Sequence, residues 1–385
     1  MSKFTLEVIS AIKNAIGVET SALHEPTFLG NELKYLKECI DTGYVSSVGK
    51  FVDQFELDLS NYTGSKYAIS VVNGTSALHL GLLLAGVKKG DEVIIPALTF
   101  IATANAVSYC GATPHLVDSE HATLGLDPDK LEIYLSEIST QISGLCVNKI
   151  TGNVIKAVVP MHTFGHPIRI ERLLEVAKKF NLAVVEDAAE SLGSFYKGKH
   201  TGTFGEIGIL SFNGNKTITT GGGGAILTNN PDIAAKAKHL STTAKISHEW
   251  LYTHNAIAFN FRMPNINAAL GCAQLEDIES KLKSKRALFE KYHSEFSSIF
   301  GVTLFKEPLD ARSNYWLNTL LLLDVTKNQQ DEILTLTNSV GIMTRPAWDI
   351  ISSMEIYQNL PSGDLTVAKH LRNTIINIPS GPGLV

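Results

Sequence analysis

The segment 155–187 contains IKAVVP (155–160), IERLLEVAKKF (170–180) and LAVVE (182–186), and it predicts a strand, a helix and a second strand. The two apolar runs are continuous rather than alternating, as in strands that are buried on both faces of a parallel sheet. A helix between two such strands is typical of a βαβ unit. This segment therefore predicts an α/β fold.

The same alternation continues outward from this unit. Further strands are predicted at 68–72, 91–96 and 115–118, and further helices at 77–85 and 101–109. After about residue 230 the pattern changes to a long helix at 264–296, a strand at 316–325, a helix at 328–340 and a short strand at 341–344. We expect a large, mostly parallel sheet domain at 25–255 and a smaller α+β C-terminal domain at 256–385, with an N-terminal helix within 1–24 packed on the smaller domain.

Composition excludes several classes of protein. The chain has 385 residues, and 33 Lys and Arg against 38 Asp and Glu give a net charge of −5. Nucleic-acid binders usually carry a basic face, which this charge does not favour. No apolar run reaches the roughly 20 residues that a membrane-spanning helix needs. We therefore expect a cytoplasmic protein that binds neither nucleic acid nor membrane.

The four cysteines predict neither a metal site nor a disulfide framework. Cys39, Cys110, Cys146 and Cys272 lie far apart, and no CxxC pair is present. Isolated cysteines are most often small buried hydrophobes. We expect reduced, buried thiols and no bound metal.

An aspartate and a lysine that follow the LAVVE strand are candidates for the binding of a cofactor. Asp187 directly follows that strand, and Lys216 comes later in SFNGNK (211–216), before TTGGGGAI (219–226). Ligands of α/β proteins bind at the carboxyl ends of parallel strands. Pyridoxal phosphate needs a lysine for its Schiff base and a carboxylate that keeps its pyridine nitrogen protonated. Taken singly, the Asp is also explained as a helix cap and the Lys as a solvated charge.

Two further segments fit a phosphorylated, planar ligand. NGTSAL (73–78) lies where a strand passes into a helix, and a helix N-terminus binds phosphate through its free N–H groups. An ordinary Ser/Thr cap would look the same. Phe100, in PALTFIAT (96–103), follows a strand and could stack on a planar ring, although a core Phe is the commoner case.

Taken together, these motifs resemble the DegT/DnrJ/StrS family. The ordered set is NGTSAL, PALTFIAT, VVEDAAES (184–191), SFNGNKTITTGGGGAI (211–226) and NFRMPNINAALGCAQL (260–275). The resemblance extends from about Glu25 to Pro382. It implies a pyridoxal-phosphate-dependent sugar aminotransferase with the aspartate-aminotransferase fold (fold type I).

The resemblance also implies roles for individual residues at the cofactor. Lys216 would form the Schiff base and then move a proton between the cofactor and the sugar. Asp187 would pair with the pyridine nitrogen, and Phe100 would stack on the ring. The cofactor phosphate would be held by Gly74, Thr75, Ser76 and Ser211.

Other implied residues surround this centre. Asn260 would reach the phosphate from a partner subunit, so the resemblance implies a homodimer with a shared active site. Glu190 stands near the cofactor phenolic oxygen, where the family often has Gln. His162 and Arg345 are candidates for substrate contacts, although a structural histidine and a surface charge explain them equally well.

For the reaction, the resemblance implies transfer of an amino group from L-glutamate to the 4-keto carbon of a nucleotide-linked 6-deoxy sugar. The wording of the motifs favours UDP-4-keto-6-deoxy-N-acetylhexosamine, with a product used in surface glycans. A GDP-4-keto-6-deoxymannose (perosamine-type) aminotransferase is the nearest alternative. A non-enzymatic regulatory relative is the other alternative, against which Lys216 and Asp187 both count.

Overall fold

The computed structural model describes residues 2–323 and 326–385 of the chain. The helices are α1 (Lys3–Ile16), α2 (Glu32–Thr42), α3 (Lys50–Thr63), α4 (Gly74–Leu84), α5 (Ile101–Tyr109), α6 (Pro128–Ile138), α7 (Ile170–Phe180), α8 (Pro231–Ser241), α9 (Asn265–Glu276), α10 (Ile278–Phe296), α11 (Lys327–Ser339) and α12 (Thr366–Thr374). The strands are β1 (Tyr67–Val71), β2 (Glu92–Pro96), β3 (Thr113–Val117), β4 (Ser139–Ile142), β5 (Leu145–Asn148), β6 (Ile155–Val158), β7 (Ala183–Asp187), β8 (Phe195–Tyr196), β9 (Lys199–His200), β10 (Ile207–Ser211), β11 (Gly224–Thr228), β12 (Lys245–Ile246), β13 (Thr253–His254), β14 (Val302–Leu304), β15 (Ala311–Arg312), β16 (Asn318–Leu322), β17 (Arg345–Pro346) and β18 (Ile375–Ile378).

A seven-stranded sheet in the order β1-β11-β10-β7-β6-β2-β3 forms the centre of the molecule. Strands β10, β7, β6, β2 and β3 pair in parallel, whereas β11 runs antiparallel to both β1 and β10. The carboxyl ends of β1, β2, β7 and β10 therefore lie at one edge, together with the start of β11. This is the predicted large, mostly parallel sheet of an α/β protein, and its C-terminal edge is where such folds bind ligands.

Both faces of this sheet are covered by helices. On one face α4 buries Leu78 and Leu82 in a core that includes Ile209 and Ile226 of the sheet. On the other face lie Phe55 of α3 and residues of α9. Continuous apolar strands require such cover on both sides, which is why the sequence shows no alternation in these runs.

A smaller antiparallel sheet, in the order β14-β16-β18-β17, forms a second core. Val8 and Ile12 of α1 pack in this core with Leu288 and Tyr292 of α10. The amphipathic N-terminal helix is therefore buried against elements of the C-terminal region. The predicted boundary between 255 and 256 stays a prediction.

Three predicted elements differ from the structure. The helix predicted at 264–296 is two helices, because Asp277 leaves helical geometry (φ −102°, ψ 9°) between α9 and α10. The apolar spacing continues through this break, so periodicity alone did not reveal it. The strand predicted at 341–344 is instead β17, and β16 is shorter than the predicted strand 316–325, whose positions 324 and 325 lie outside the described residues.

The four cysteines are all buried free thiols. In the part of the chain that the structure describes, no helix is both long and apolar enough to cross a membrane.

Candidate active site

A cavity of about 290 Å³ opens at the carboxyl-terminal edge of the central sheet. Its lining residues are Asn73, Gly74, Thr75, Leu78, Phe100, Ala102, Met161, Asp187, Ala189, Glu190, Ser211, Asn213, Asn215, Lys216, Gly222, Gly223, Trp316 and Trp348. A larger groove of about 700 Å³ runs along α2, α3 and α9, but it holds none of the predicted site residues. The edge cavity brings together residues that lie far apart in the sequence, from Asn73 to Trp348, and it is the candidate active site.

Lys216 is held on one wall of the cavity with only 14% of its side chain exposed. Its Nζ lies 3.2 Å from Oε1 of Glu190 and 4.0 Å from the centre of the Trp316 ring. The short loop that carries Lys216 is fixed by its own backbone N–H, which donates to Asn213 O, and by Trp316 Nε1, which donates to Asn215 O at 2.7 Å. The lysine is thus both accessible from the cavity and held in place.

Asp187 ends strand β7 and lies at the floor of the cavity. Its Oδ2 accepts a hydrogen bond from the Thr103 hydroxyl at 2.8 Å, and its Oδ1 accepts one from the Ala189 N–H at 3.2 Å. The side chain is buried, and this burial raises the pKa of Asp187 above its usual value, while the Thr103 bond and the charge of Lys216 act in the opposite direction. An oriented buried carboxylate of this kind suits a cationic ring nitrogen.

Glu190 follows Asp187 by three residues and is also buried. Its Oε2 accepts the N–H of Phe164 at 2.9 Å, while its Oε1 faces Lys216. Burial raises the pKa of Glu190 to about 7, because the loss of water outweighs the stabilisation by Lys216. Phe164 has a left-handed backbone (φ 55°), a conformation that costs free energy and often marks a functional site.

The start of helix α4 provides an anion-binding corner. The first N–H groups of a helix have no partner within the helix, and they point toward the space before it. Asn73 caps the helix by accepting the Ser76 N–H at 2.7 Å, which leaves the Gly74 and Thr75 positions facing the cavity. Gly74 is required here because a Cβ atom would lie only 2.9 Å from Cβ of Ser211. The absence of that atom lets the Ser211 hydroxyl share the same corner.

Aromatic side chains form the remaining wall. Phe100 stands at the start of α5 with 48% of its surface exposed, and its ring centre lies 6.1 Å from that of Trp348. Phe164 supports Trp348 from behind at 4.9 Å between ring centres. A flat ligand ring placed against Phe100 would cover this exposed aromatic surface.

Four predicted residues do not line this cavity within the chain. They are Ser76, Asn260, His162 and Arg345. The N–H of Ser76 is occupied by the Asn73 cap. Asn260 is exposed, and its Oδ1 accepts a hydrogen bond from Arg262 Nε at 2.9 Å. This placement leaves Asn260 free to face another molecule, and Arg262 supports it.

His162 and Arg345 are engaged elsewhere. The ring of His162 is fully buried: Nε2 contacts Glu186 at 3.1 Å and Nδ1 accepts the Ile168 N–H at 3.3 Å. Both ring nitrogens are therefore used inside the protein, and His162 does not line the cavity. Arg345 is exposed, and its Nη1 donates to Asn338 Oδ1 and Thr344 O.

Two residues of the C-terminal region that contact the site, Asn314 and Trp316, were not predicted from the sequence. Asn314 is buried, and its Nδ2 donates to the backbone oxygen of Glu190 and to Oγ1 of Thr217. Trp316 contacts Lys216 through its ring. An Asn and a Trp before an apolar strand carry no local signal for such contacts. Their role depends on how the two sheets pack against each other.

Comparison with known proteins adds to this geometry. A sequence model of the DegT/DnrJ/EryC1/StrS aminotransferase family matches residues 27–385. The chain is 38% identical to GDP-perosamine synthase of Caulobacter vibrioides over 93% of this chain and 92% of that protein. It is also 38% identical to GDP-perosamine synthase of Escherichia coli O157:H7 over 94% and 93%. Helicobacter pylori PseC, an aminotransferase involved in the biosynthesis of pseudoaminic acid, matches the structure with a TM-score of 0.85 at 25% identity, covering 95% of each chain.

Proposed function

Because the chain belongs to the DegT/DnrJ/EryC1/StrS aminotransferase family, we propose that it transfers an amino group from L-glutamate to the C4 keto carbon of GDP-4-keto-6-deoxymannose. It is a pyridoxal-phosphate-dependent sugar aminotransferase with the fold of that class, and it uses a nucleotide-sugar substrate and an amino donor. This activity sets aside the alternative of a non-enzymatic regulator.

The observation that carries the choice of nucleotide is the identity of the relatives. Two proteins that match almost the whole chain at 38% identity are GDP-perosamine synthases. They support the GDP-linked alternative better than the UDP-linked N-acetylhexosamine that the motifs favoured. The motifs surround the cofactor, which all these enzymes share, so they carried little information about the nucleotide. A use of the product in surface glycans and a cytoplasmic location stay predictions.

The residues that line the cavity fit pyridoxal phosphate. When bound, this cofactor supplies an electron sink that stabilises negative charge at the carbon next to the transferred nitrogen. Lys216 would provide the amine for its Schiff base, and the buried Asp187 would pair with the pyridine nitrogen. The phosphate would lie at the start of α4, against Gly74, Thr75 and Ser211, where a Cβ at position 74 would collide with Ser211. Phe100 would cover one face of the ring.

Lys216 also moves the proton that the reaction requires. With pyridoxal phosphate and substrate bound, its Nζ would be the group that accepts and returns the proton of the transamination. Glu190 faces the same Nζ at 3.2 Å and holds it in the cavity. The Trp316 ring, whose centre lies 4.0 Å from Nζ, covers the lysine from the side of the C-terminal region.

A homodimer with shared active sites is part of the proposal. The hairpin β12–β13 and the residues after it expose Trp250 (71%), Tyr252 (81%) and Ile257 (98%) in one chain segment. Clustered exposed apolar side chains of this size are typical of a protein–protein interface. Asn260 follows directly, so a partner covering this segment would receive the Asn260 side chain near its own phosphate corner.

The direct test is a comparison of nucleotide sugars. Purified enzyme with pyridoxal phosphate and L-glutamate is offered GDP-4-keto-6-deoxymannose or UDP-4-keto-6-deoxy-N-acetylhexosamine, and 2-oxoglutarate and the amino sugar are measured. We expect kcat/KM for the GDP sugar to be higher by about tenfold or more. The Lys216→Ala variant is the control and should form no product. A preference for the UDP sugar would refute the choice of nucleotide.

A further inference from the structure

The hydroxyl groups of two threonines form a chain of hydrogen bonds that ends at the Asp187 carboxylate. The Oγ1 of Thr103 is 2.8 Å from Oδ2 of Asp187, and the Oγ1 of Thr99 is 3.1 Å from that of Thr103. Thr99 also lies 3.1 Å from Sδ of Met161. Thr99, Thr103 and Asp187 are all buried, so water does not substitute for any of these bonds.

The chemistry of the groups fixes the direction of the hydrogen bond between Thr103 and Asp187. The Thr103 hydroxyl has a single proton, and it donates that proton to the charged carboxylate, which accepts only. The Thr103 oxygen can then accept from the Thr99 hydroxyl, whose single proton has two acceptors within 3.1 Å, Thr103 Oγ1 and Met161 Sδ. Hydrogen bonds in such a chain polarise one another, and a bond to a charged acceptor is stronger than one between neutral groups.

The first turn of α5 places two side chains of the site, Phe100 and Thr103. Phe100 is the N-cap of α5, and its carbonyl accepts the Thr103 N–H at 3.1 Å. Phe100 thus points into the cavity while Thr103, three residues later, points at the carboxylate. The position of the aromatic wall and that of Asp187 are linked through one helical turn.

We propose that Thr103 is a positioning residue that holds the Asp187 carboxylate ionised and oriented toward the pyridine nitrogen of the cofactor. The inference rests on the proposed role of Asp187. Each oxygen of the carboxylate accepts one hydrogen bond from the protein, Oδ2 from the Thr103 hydroxyl and Oδ1 from the Ala189 N–H, and these two bonds fix the plane of the carboxylate. Without the Thr103 hydroxyl, the buried carboxylate would accept a hydrogen bond only from the backbone N–H of Ala189.

The electrostatic consequence has a defined sign. Burial raises the pKa of Asp187, and the Thr103 hydrogen bond is the largest of the opposing effects. The Ala189 N–H, Lys216 and His162 also oppose the effect of burial, while the nearby Glu190 is a second buried acid. Loss of the Thr103 hydroxyl therefore raises the pKa of Asp187 further, so the carboxyl takes up its proton at a higher pH.

The experiment measures cofactor binding rather than turnover. Apoenzyme is titrated with pyridoxal phosphate, and binding is followed by quenching of tryptophan fluorescence, since Trp316 and Trp348 line the cavity. We expect Thr103→Val to weaken binding by about tenfold or more, because a hydrogen bond to a charged group is lost. Thr103→Ser keeps the hydroxyl and should bind within about twofold of wild type. Thr99→Val, the matched control, removes a hydroxyl that does not touch Asp187 and should have a smaller effect than Thr103→Val.

A pH profile separates positioning from a loss of packing. In Thr103→Val the acid limb of cofactor affinity should move to higher pH, whereas Thr103→Ser should keep the wild-type limb. A uniform loss of affinity with an unmoved limb, or an equal loss in Thr103→Ser, overturns the inference. Asp187→Asn tests the assumption beneath it. If that variant binds the cofactor normally, the role of Asp187 fails. If it binds poorly while Thr103→Val binds normally, only the role of Thr103 fails.

Discussion

The Nζ atom of Lys216 lies 3.2 Å from Oε1 of Glu190, and both groups are largely removed from water. The other carboxylate oxygen of Glu190 is held by the Phe164 N–H. A Gln at position 190 could keep the carbonyl contact with Phe164 but would carry no charge opposite the lysine. The pair therefore makes the protonation of the site depend on pH in a way that a Gln would not.

Glu190→Gln should change how stability depends on pH. The pKa of Glu190 is raised from 4.5 to about 7 in the folded chain, so this residue contributes stability below about pH 4.5 that is lost as pH rises through about 7. Across that window wild type should lose about 3 kcal/mol of unfolding free energy relative to the variant. Chemical unfolding of the apoenzyme at a series of pH values measures the difference.

An exposed carboxyl provides the control for that measurement. Glu206→Gln changes a glutamate on the surface and should leave the pH dependence of wild type intact. If the unfolding free energies of wild type and Glu190→Gln change with pH in the same way, Glu190 does not titrate in this range.

Gly74→Ala should weaken cofactor binding. The added methyl group would lie 2.9 Å from Cβ of Ser211, so the start of α4 must move away from β10 and the phosphate corner widens. We expect Kd for pyridoxal phosphate to rise roughly tenfold, which corresponds to about 1–2 kcal/mol. Gly214→Ala is the matched control, since a Cβ there has no neighbour within 4 Å. Equal affinities of the two variants would show that the phosphate does not lie in this corner.

A pair of inactive variants should restore activity together. If Asn260 serves the site of the partner subunit, a heterodimer of Lys216→Ala and Asn260→Ala chains contains one complete site. Random mixing of co-expressed chains makes half of the dimers mixed, so roughly a quarter of wild-type activity should return. The measurement is glutamate-dependent amination by the co-expressed pair against each variant alone. No recovery would place Asn260 and Lys216 in the same chain's site.

Ile257→Asp should dissociate the proposed dimer. Ile257 is 98% exposed within the apolar segment near Trp250 and Tyr252, and a charge buried in an interface is costly without a partner. Light scattering on a sizing column should report the mass of one chain for the variant. Phe300→Asp changes an equally exposed side chain (97%) outside that segment and should remain dimeric. An unchanged mass for Ile257→Asp would exclude this segment from the interface.

Local patterns predicted five strands of the seven-stranded central sheet, β1, β2, β3, β6 and β7, but not β10 and β11. The runs at 155–160 and 182–186 became β6 and β7 because continuous apolar strands are specified within a few residues. Asp187 ends β7, Phe100 follows β2 and Lys216 follows β10. Because these strands are parallel, the three residues lie at one edge of the sheet and share one cavity. Their meeting follows from parallel strand order rather than from distance along the chain.

Long-range contacts could not be predicted in the same way. Trp316 and Asn314 reach the site only because the second sheet packs beside the first, and His162 looked like a pocket residue because it follows a strand. Its ring turns instead to Glu186, and nothing in the local pattern distinguishes these two directions. The break at Asp277 was hidden for a similar reason, since the apolar spacing of α9 continues into α10.

The most direct test of the account is the identity of the lysine that binds the cofactor. Enzyme loaded with pyridoxal phosphate is reduced with borohydride, digested and analysed by peptide mass spectrometry, with and without prior addition of L-glutamate. The account predicts a phosphopyridoxyl group on Lys216 alone, and its loss when L-glutamate is added first. Attachment to another lysine, or labelling of Lys216 that L-glutamate does not reduce, would contradict it.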